Sequence, residues 1–232
     1  MLIDIPCLNT EDNLSLDNEL SYAEIEHAIK CSPNDKAPGL NGIPTEIYKF
    51  LHKRHIKNIK NDKPSFDIVA LLKAAFNDIE TNGVRDKRLL DGWLCPIYKK
   101  KDRHEVANYR PITVLNAEYK ILTTALMGKL SVLAPKLVNK CQAAFIKGRS
   151  IFDQIDLVTR MTDLCEITNQ EGAIIALDQE KAYDKIRHDY LWQTLEAMNV
   201  PSGLVNTIKS LYSKAETAII LNGEMSEKFR VI

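Results

Sequence analysis

The sequence predicts a helix-rich α/β chain, of the α+β kind in which helices and strands cluster separately. Three observations lead there. Stretches with apolar residues three and four apart recur along the chain. Short apolar runs bounded by Gly, Pro or Asn read as strands, at Trp93–Tyr98, Tyr109–Leu115, Ala173–Leu177 and Ala215–Leu221. The 232 residues are 45% hydrophobic and 27% charged, which supports one large globular domain or two small lobes with real cores.

Taken in order, residues 1–20 read as an acidic, weakly structured arm. Ser21 and Glu24 form a capping box, and Ile25, Ala28 and Ile29 give a short amphipathic helix that Ser32-Pro33 ends. A loop dense in Pro and Gly follows, Lys36 to Pro44. Pro44 starts a helix from Thr45 to about Leu51. Residues 52–64, basic and polar, read as a loop. Ser65 caps a stronger helix with an apolar stripe through Ile68, Leu72, Phe76 and Ile79, which Asn82-Gly83 stops.

Trp93–Tyr98 and Tyr109–Leu115 make two strands around the exposed basic run Lys99-Lys100-Lys101-Asp102-Arg103. Asn116 caps a helix from Ala117 to about Leu133, closed by Pro135. Ile151 to about Gln170 forms a long helix with Ile151, Ile155, Val158, Met161 and Leu164 on one face. Ala173–Leu177 reads as a buried strand with Asp178 at its carboxyl end, where α/β domains place chemistry. Helices at Tyr190–Met198 and from Pro201 to Tyr212 follow. The chain closes on a hairpin turning at Asn222-Gly223 between Ala215–Leu221 and Lys228–Ile232.

Composition narrows the classes of function. No apolar run approaches a membrane span, and Met1-Leu-Ile-Asp lacks a signal-peptide layout, so the expected location is intracellular, cytoplasmic or nuclear. Five scattered cysteines without a CxxC pair point away from zinc and disulfide frameworks. Net charge is zero but unevenly spread: −7 over residues 1–35, +3 over 36–84, +9 over 85–149 and −5 over 150–232. A basic middle beside a carboxylate-bearing end suits a polyanion ligand.

The segment Asp178-Gln-Glu-Lys181-Ala-Tyr183-Asp184, with Ile186, His188 and Leu191, resembles the first palm motif of reverse transcriptases of LINE-type (non-long-terminal-repeat) retrotransposons. Four further segments resemble that family in order. Lys36-Ala-Pro-Gly-Leu-Asn41-Gly-Ile resembles the segment opening its fingers, with Asn41 where Asp is usual. Pro96-Ile-Tyr-Lys-Lys-Lys-Asp102 and Asn108-Tyr-Arg110-Pro-Ile-Thr-Val-Leu-Asn116 resemble its paired fingers motifs. Gln142-Ala-Ala-Phe145-Ile-Lys147-Gly-Arg149-Ser150 resembles a Q-x-G-F-x-x-G-R-S segment, with Ala144 in place of the glycine.

The resemblance implies right-hand polymerase fingers plus an incomplete palm: an arm over 1–20, fingers over 21–150, and palm over 151–232. It implies RNA-directed DNA synthesis with two Mg²⁺ ions, an RNA template, a DNA primer and deoxynucleoside triphosphates. Asp178 would be a catalytic, metal-bridging carboxylate and the Gln179 carbonyl a second metal ligand. Lys99 or Lys100, with Arg110, would contact the incoming nucleotide. Tyr183 would be the ribose gate, and Lys147 and Arg149 would hold template phosphates. The family's second carboxylate motif, Y-x-D-D, and its Q-G-x-P motif do not occur in the 232 residues, and no Asp-Asp pair exists. The expectation is therefore a chain that lacks polymerase activity by itself. Two other readings remain: a non-catalytic nucleic-acid-binding remnant of a retroelement, and an unrelated hydrolase-like enzyme using Asp178, Asp184 and His188.

Overall fold

The structure, a computed structural model, describes residues 5–231. The chain divides into two compact units, one of residues 17–128 with 202–232 and one of residues 1–16 with 129–201.

The first unit is built around helix α4 (Ile68–Asn82), against which α2 (Tyr22–Cys31), α3 (Thr45–Ile59) and α8 (Ser202–Ser213) all pack. The α4 stripe is buried at Ile68, Val69, Leu72 and Phe76, facing Ile25 and Ile29 of α2 and Val205 and Leu211 of α8 within the same core. Each such side chain contributes about 1.5–3 kcal/mol when fully buried. The Ser21–Glu24 capping box forms as the sequence implies, with the Glu24 carboxylate accepting from the Ser21 amide at 2.8 Å. Gly83, at φ 71°, ends α4 in a conformation costly for any residue with a Cβ.

The sheet belongs to this unit. Strands β1 (Gly92–Tyr98) and β2 (Tyr109–Leu115) form the expected antiparallel hairpin, with Tyr98 opposite Tyr109 and Ile97 opposite Arg110. β3 (Glu216–Leu221) lies parallel to β1, Gly92 opposite Thr217. Such a pairing needs the long crossover that residues 99–215 supply. Asn222 and Gly223 both take positive φ, as a type I′ turn requires, so the turn is where the sequence puts it. The return strand differs from expectation. β4 (Glu224–Met225) pairs with the end of β3, and only then does β5 (Phe229–Arg230) pair with Glu216–Thr217. Between them Ser226 interrupts the ladder, its hydroxyl accepting from the Ile219 amide.

Three boundaries move. Helix α3 runs on to Ile59, through residues 52–59 of the expected loop. His52 and His55, not apolar residues, face inward there: His52 Nε2 lies 2.9 Å from Glu26 Oε1, and His55 Nδ1 2.6 Å from Ser65 Oγ. Because Ser65 is engaged by His55, the cap of α4 falls to Asp67, whose carboxylate accepts from the Val69 and Ala70 amides. Helix α5 (Ala117–Leu137) continues past Pro135, which in the last turn forfeits a single backbone hydrogen bond.

The second unit holds α1 (Thr10–Asp17, all but its last residue), the end of α5, α6 (Ile151–Ile167) and α7 (His188–Ala197). The arm expected to be weakly structured thus contains a helix. Asn9 Oδ1 accepts from the Asp12 amide, Asp12 pairs with Lys136 at 2.6 Å, and Leu8 exchanges hydrogen bonds with Met198 and Asn199. The apolar face predicted for α6 exists, but none of its residues is buried. No sheet strand among the described residues lies in this unit.

Candidate functional site

The residues singled out by sequence fall into three groups. The first is the β1–β2 hairpin. Side chains alternate along a strand, and Arg110 sits opposite Ile97. Lys99, two residues beyond Ile97 and bonded through its amide to the Asn108 carbonyl at 2.9 Å, therefore shares Arg110's face. Lys100 lies just past the strand. The loop is fixed by its own polar groups. Asn108 Nδ2 donates to the Asp102 carbonyl, and the Tyr109 hydroxyl to that of Arg103. The Arg103 guanidinium sits 4.8 Å above the Tyr98 ring, and Tyr98 and Tyr109 meet edge-on at 5.6 Å. Lys99, Lys100 and Arg110 are exposed and make no ion pair among the described residues. The arrangement holds three cations ready for an anion on a braced scaffold.

The Pro/Gly-rich loop clamps the other end of this hairpin. Gly39 approaches Asn116, the residue after β2, so closely that a Cβ would fall 2.2 Å from Asn116 Oδ1. Asn116 accepts from the Asn41 amide and donates to the Arg88 carbonyl. Asn41 Nδ2 donates to both oxygens of Glu118, at 3.1 and 3.0 Å, and the Tyr48 hydroxyl donates to the same carboxylate. Burial first, and then this bond, raise the Tyr48 hydroxyl well above the usual phenol range. The amide at position 41 thus donates where the usual Asp would repel Glu118. Sequence reasoning missed Tyr48, Asn116 and Glu118 as partners. The only signal for Asn116 and Glu118 is polar character at the start of α5; Tyr48, on α3, gives none.

The second group, Asp178, Gln179 and Tyr183, departs from expectation. Residues 173–177 form no strand. Ile174, Ile175 and Leu177 are 75%, 79% and 91% exposed, and Asp178 lies in an exposed segment without regular structure, not at the end of a buried strand. The physical reason is lateral: a strand needs a neighbour to take its amides and carbonyls, and no described strand pairs with this segment. Tyr183, 80% exposed, lies within a turn over 180–185 in which Lys181 takes φ 49° and Lys185 pairs with Glu180. Asp178 and Asp184 make no ion pair among the described residues. The oxygen donors of Asp178 and Gln179 suit Mg²⁺ in kind. They do not suffice in number, since the described residues gather no group of three or more ligating side chains. A groove of about 640 Å³ lies nearby, between α6 and residues 169–174, but Leu157, Val158, Met161 and Ile174 make its lining largely apolar.

The third group is Lys147 and Arg149. Lys147 is exposed. Arg149 is turned inward. Its Nη1 donates to the Asn139 and Gln142 carbonyls at 2.5 and 2.8 Å, and its Nη2 to those of Pro135 and Val138 at 3.0 and 2.9 Å. Those are the orphan carbonyls at the end of α5 and the turn beyond it. The template-phosphate reading of Arg149 gives way to a capping role. The hydrolase-like reading also loses support, because Asp178 and Asp184 sit exposed with no assembled cluster around them.

Comparison with known families supplies the class. Residues 98–231 match the family described as reverse transcriptase (RNA-dependent DNA polymerase), more than half of the chain, and the chain belongs to that family. Two relatives make it more particular. The transposon TX1 uncharacterized 149 kDa protein of Xenopus laevis is 28% identical over 222 residues, 96% of this chain and 16% of that protein. The retrovirus-related Pol polyprotein from type-1 retrotransposable element R2 of Nasonia vitripennis is 23% identical over 148 residues, 64% of this chain and 14% of that protein. The chain is a reverse transcriptase domain of retrotransposon origin, of the LINE type that its motifs resemble. The family implies nucleic-acid and nucleotide substrates and a divalent metal requirement in general terms. No helix among the described residues is long and apolar enough to cross a membrane.

Proposed function

We propose that this chain is the template- and nucleotide-gripping part of an RNA-directed DNA polymerase. The observation that carries this is the braced hairpin with Lys99 and Arg110 on one face and Lys100 beside them, none in an ion pair among the described residues. Arg110 offers a planar fork for phosphate oxygens and Lys99 a mobile point charge, the pair a triphosphate needs. Tyr183 would stand against a 2′-hydroxyl and so favour deoxynucleotides, Asp178 and Gln179 would face the metal ions, and Lys147 would meet a template phosphate. Primed RNA and deoxynucleoside triphosphates are the partners this reading assigns. Two Mg²⁺ ions would need more carboxylates than Asp178 supplies.

A second reading, a non-catalytic nucleic-acid-binding remnant, is favoured by that same single carboxylate. Primer extension separates the two. Purified residues 1–232 with primed RNA, Mg²⁺ and deoxynucleotides should bind the primed RNA and make no product. Template-dependent product that disappears in Asp178→Ala would show that this chain completes the site by itself.

A further inference from the structure

Helix α3 carries a set of cations that the polymerase reading does not use. Lys53, Arg54, Lys57 and Lys60 are exposed, and none makes an ion pair among the described residues. Two other helices of this chain give a cation a carboxylate one turn away: Lys30 pairs with Glu26 on α2 and Arg160 with Asp156 on α6, each at 2.7 Å. On α3 the residues one turn from these cations are neutral or again basic. Like charges four apart cost an isolated helix a few tenths of a kcal/mol per pair. Among the described residues no ion pair offsets that cost, and the negative end of the helix dipole favours Lys57 and Lys60 only in part.

The cations are also aligned. Tyr48 and His52 face the core, with Leu51, His55 and Asn58 half-buried on the same side. At 3.6 residues per turn, Lys53, Lys57 and Lys60, spaced i, i+4 and i+7, fall on one stripe opposite that side. Phe50, 58% exposed, belongs to the same stripe, three residues before Lys53 and seven before Lys57. At 1.5 Å per residue the lysines span about 10 Å. Along the axis the lysines sit about 6 and 4.5 Å apart, and an extended single strand spaces its phosphates wider than the roughly 3.4 Å rise of a duplex strand, so each mobile lysine can reach a separate phosphate, with an aromatic ring at one end.

We propose that this face of α3 is a second nucleic-acid contact. It would take the phosphates of a single strand along Lys53, Lys57 and Lys60 and stack a base on Phe50. The site needs neither Asp178 nor the hairpin, so it goes beyond the proposed function. An anionic membrane surface is the competing anion. The stripe offers it one aromatic ring among three cations, less apolar surface than an interfacial helix buries.

The test is fluorescence anisotropy of a short labelled single-stranded RNA with the full chain, titrated with salt between about 50 and 200 mM. The variant K53Q/K57Q/K60Q should lower the slope of log affinity against log salt by about 2, at roughly 0.7 per phosphate, and weaken binding at least tenfold. Phe50→Ala should weaken binding several-fold and leave the slope unchanged. K53R/K57R/K60R should bind like the parent. The proposal is overturned by an unchanged slope in the glutamine variant, by loss of binding in the arginine variant, or by a glutamine-variant defect confined to phosphatidylserine vesicles. A parallel variant, K99Q/K100Q/R110Q, separates the two claims. The hairpin reading concerns the triphosphate, so this variant is scored by equilibrium dialysis of a deoxynucleoside triphosphate: if it loses that binding while K53Q/K57Q/K60Q holds RNA like the parent, only the α3 site fails; if it keeps that binding while K53Q/K57Q/K60Q weakens RNA binding, only the hairpin reading fails.

Discussion

Replacing Arg149 with lysine keeps the charge and removes the fork, which distinguishes a cap from a phosphate contact. Four carbonyls, of Pro135, Val138, Asn139 and Gln142, take one terminal N–H each at 2.5–3.0 Å. A lysine has three donors on a single atom and reaches two of these acceptors at most. A hydrogen bond to a charged group contributes about 1.5–3 kcal/mol when buried. Arg149 is half-exposed, so roughly 1 kcal/mol for each of the two lost bonds is the proper discount. Arg149→Lys should therefore cost about 2 kcal/mol and Arg149→Ala, which loses all four bonds, about 4, with the helix-end charge adding a few tenths in the second case. For a chain of this size each kcal/mol lowers Tm by about 2–4 °C, giving a drop of about 4–8 °C for lysine. Thermal melting by circular dichroism reads this directly, with RNA affinity measured alongside. An Arg149→Lys variant that melts like the parent yet binds RNA several-fold more weakly would refute the capping argument and restore the phosphate role.

Other outcomes follow from the same contacts. Asn41→Asp sets two carboxylates about 3 Å apart and should destabilise the chain by about 1–2 kcal/mol at neutral pH; denaturant melts should show the loss shrinking in acid, as one carboxylate protonates. Glu26 is held below the usual carboxylate range, chiefly by its hydrogen bond from Lys30 and further by His52. A lowered folded pKa gives stability that is present above the ordinary carboxylate range and lost as pH falls, so Glu26→Gln should flatten the acid limb of a stability–pH curve. Asp91 is only 4% exposed, with Oδ2 on Lys228 Nζ and Oδ1 without a partner. Lys228→Met strands that charge and should cost about 3 kcal/mol, while Asp91→Asn should cost less because the Lys228 side chain, 43% exposed, can hydrate; equal costs in urea melts would contradict this.

The parts legible in the sequence were those written in local chemistry. The Ser21–Glu24 box, the glycine stop at Gly83, the Tyr98–Tyr109 hairpin and the Asn222-Gly223 turn each depend on residues within a few positions of one another. What was not legible depended on distant partners. His52 and His55 extend α3 because Glu26 and Ser65 receive them, and no apolar periodicity records that. Arg149 sits in a segment shared with a nucleic-acid-binding family, yet its direction is set by the end of α5. The apolar run before Asp178 has the composition of a strand, but strand formation needs a lateral partner that none of the described strands supplies. Of the candidate site, the hairpin half was readable for that reason and the carboxylate half was not.

On the proposed function, the hairpin meets the nucleotide's triphosphate. Equilibrium dialysis of a deoxynucleoside triphosphate against the full chain with primed RNA tests it most directly. Saturable binding is expected, lost in K99Q/R110Q and retained in K53Q/K57Q/K60Q. Binding that persists undiminished in K99Q/R110Q, or no binding by the parent chain, would contradict it.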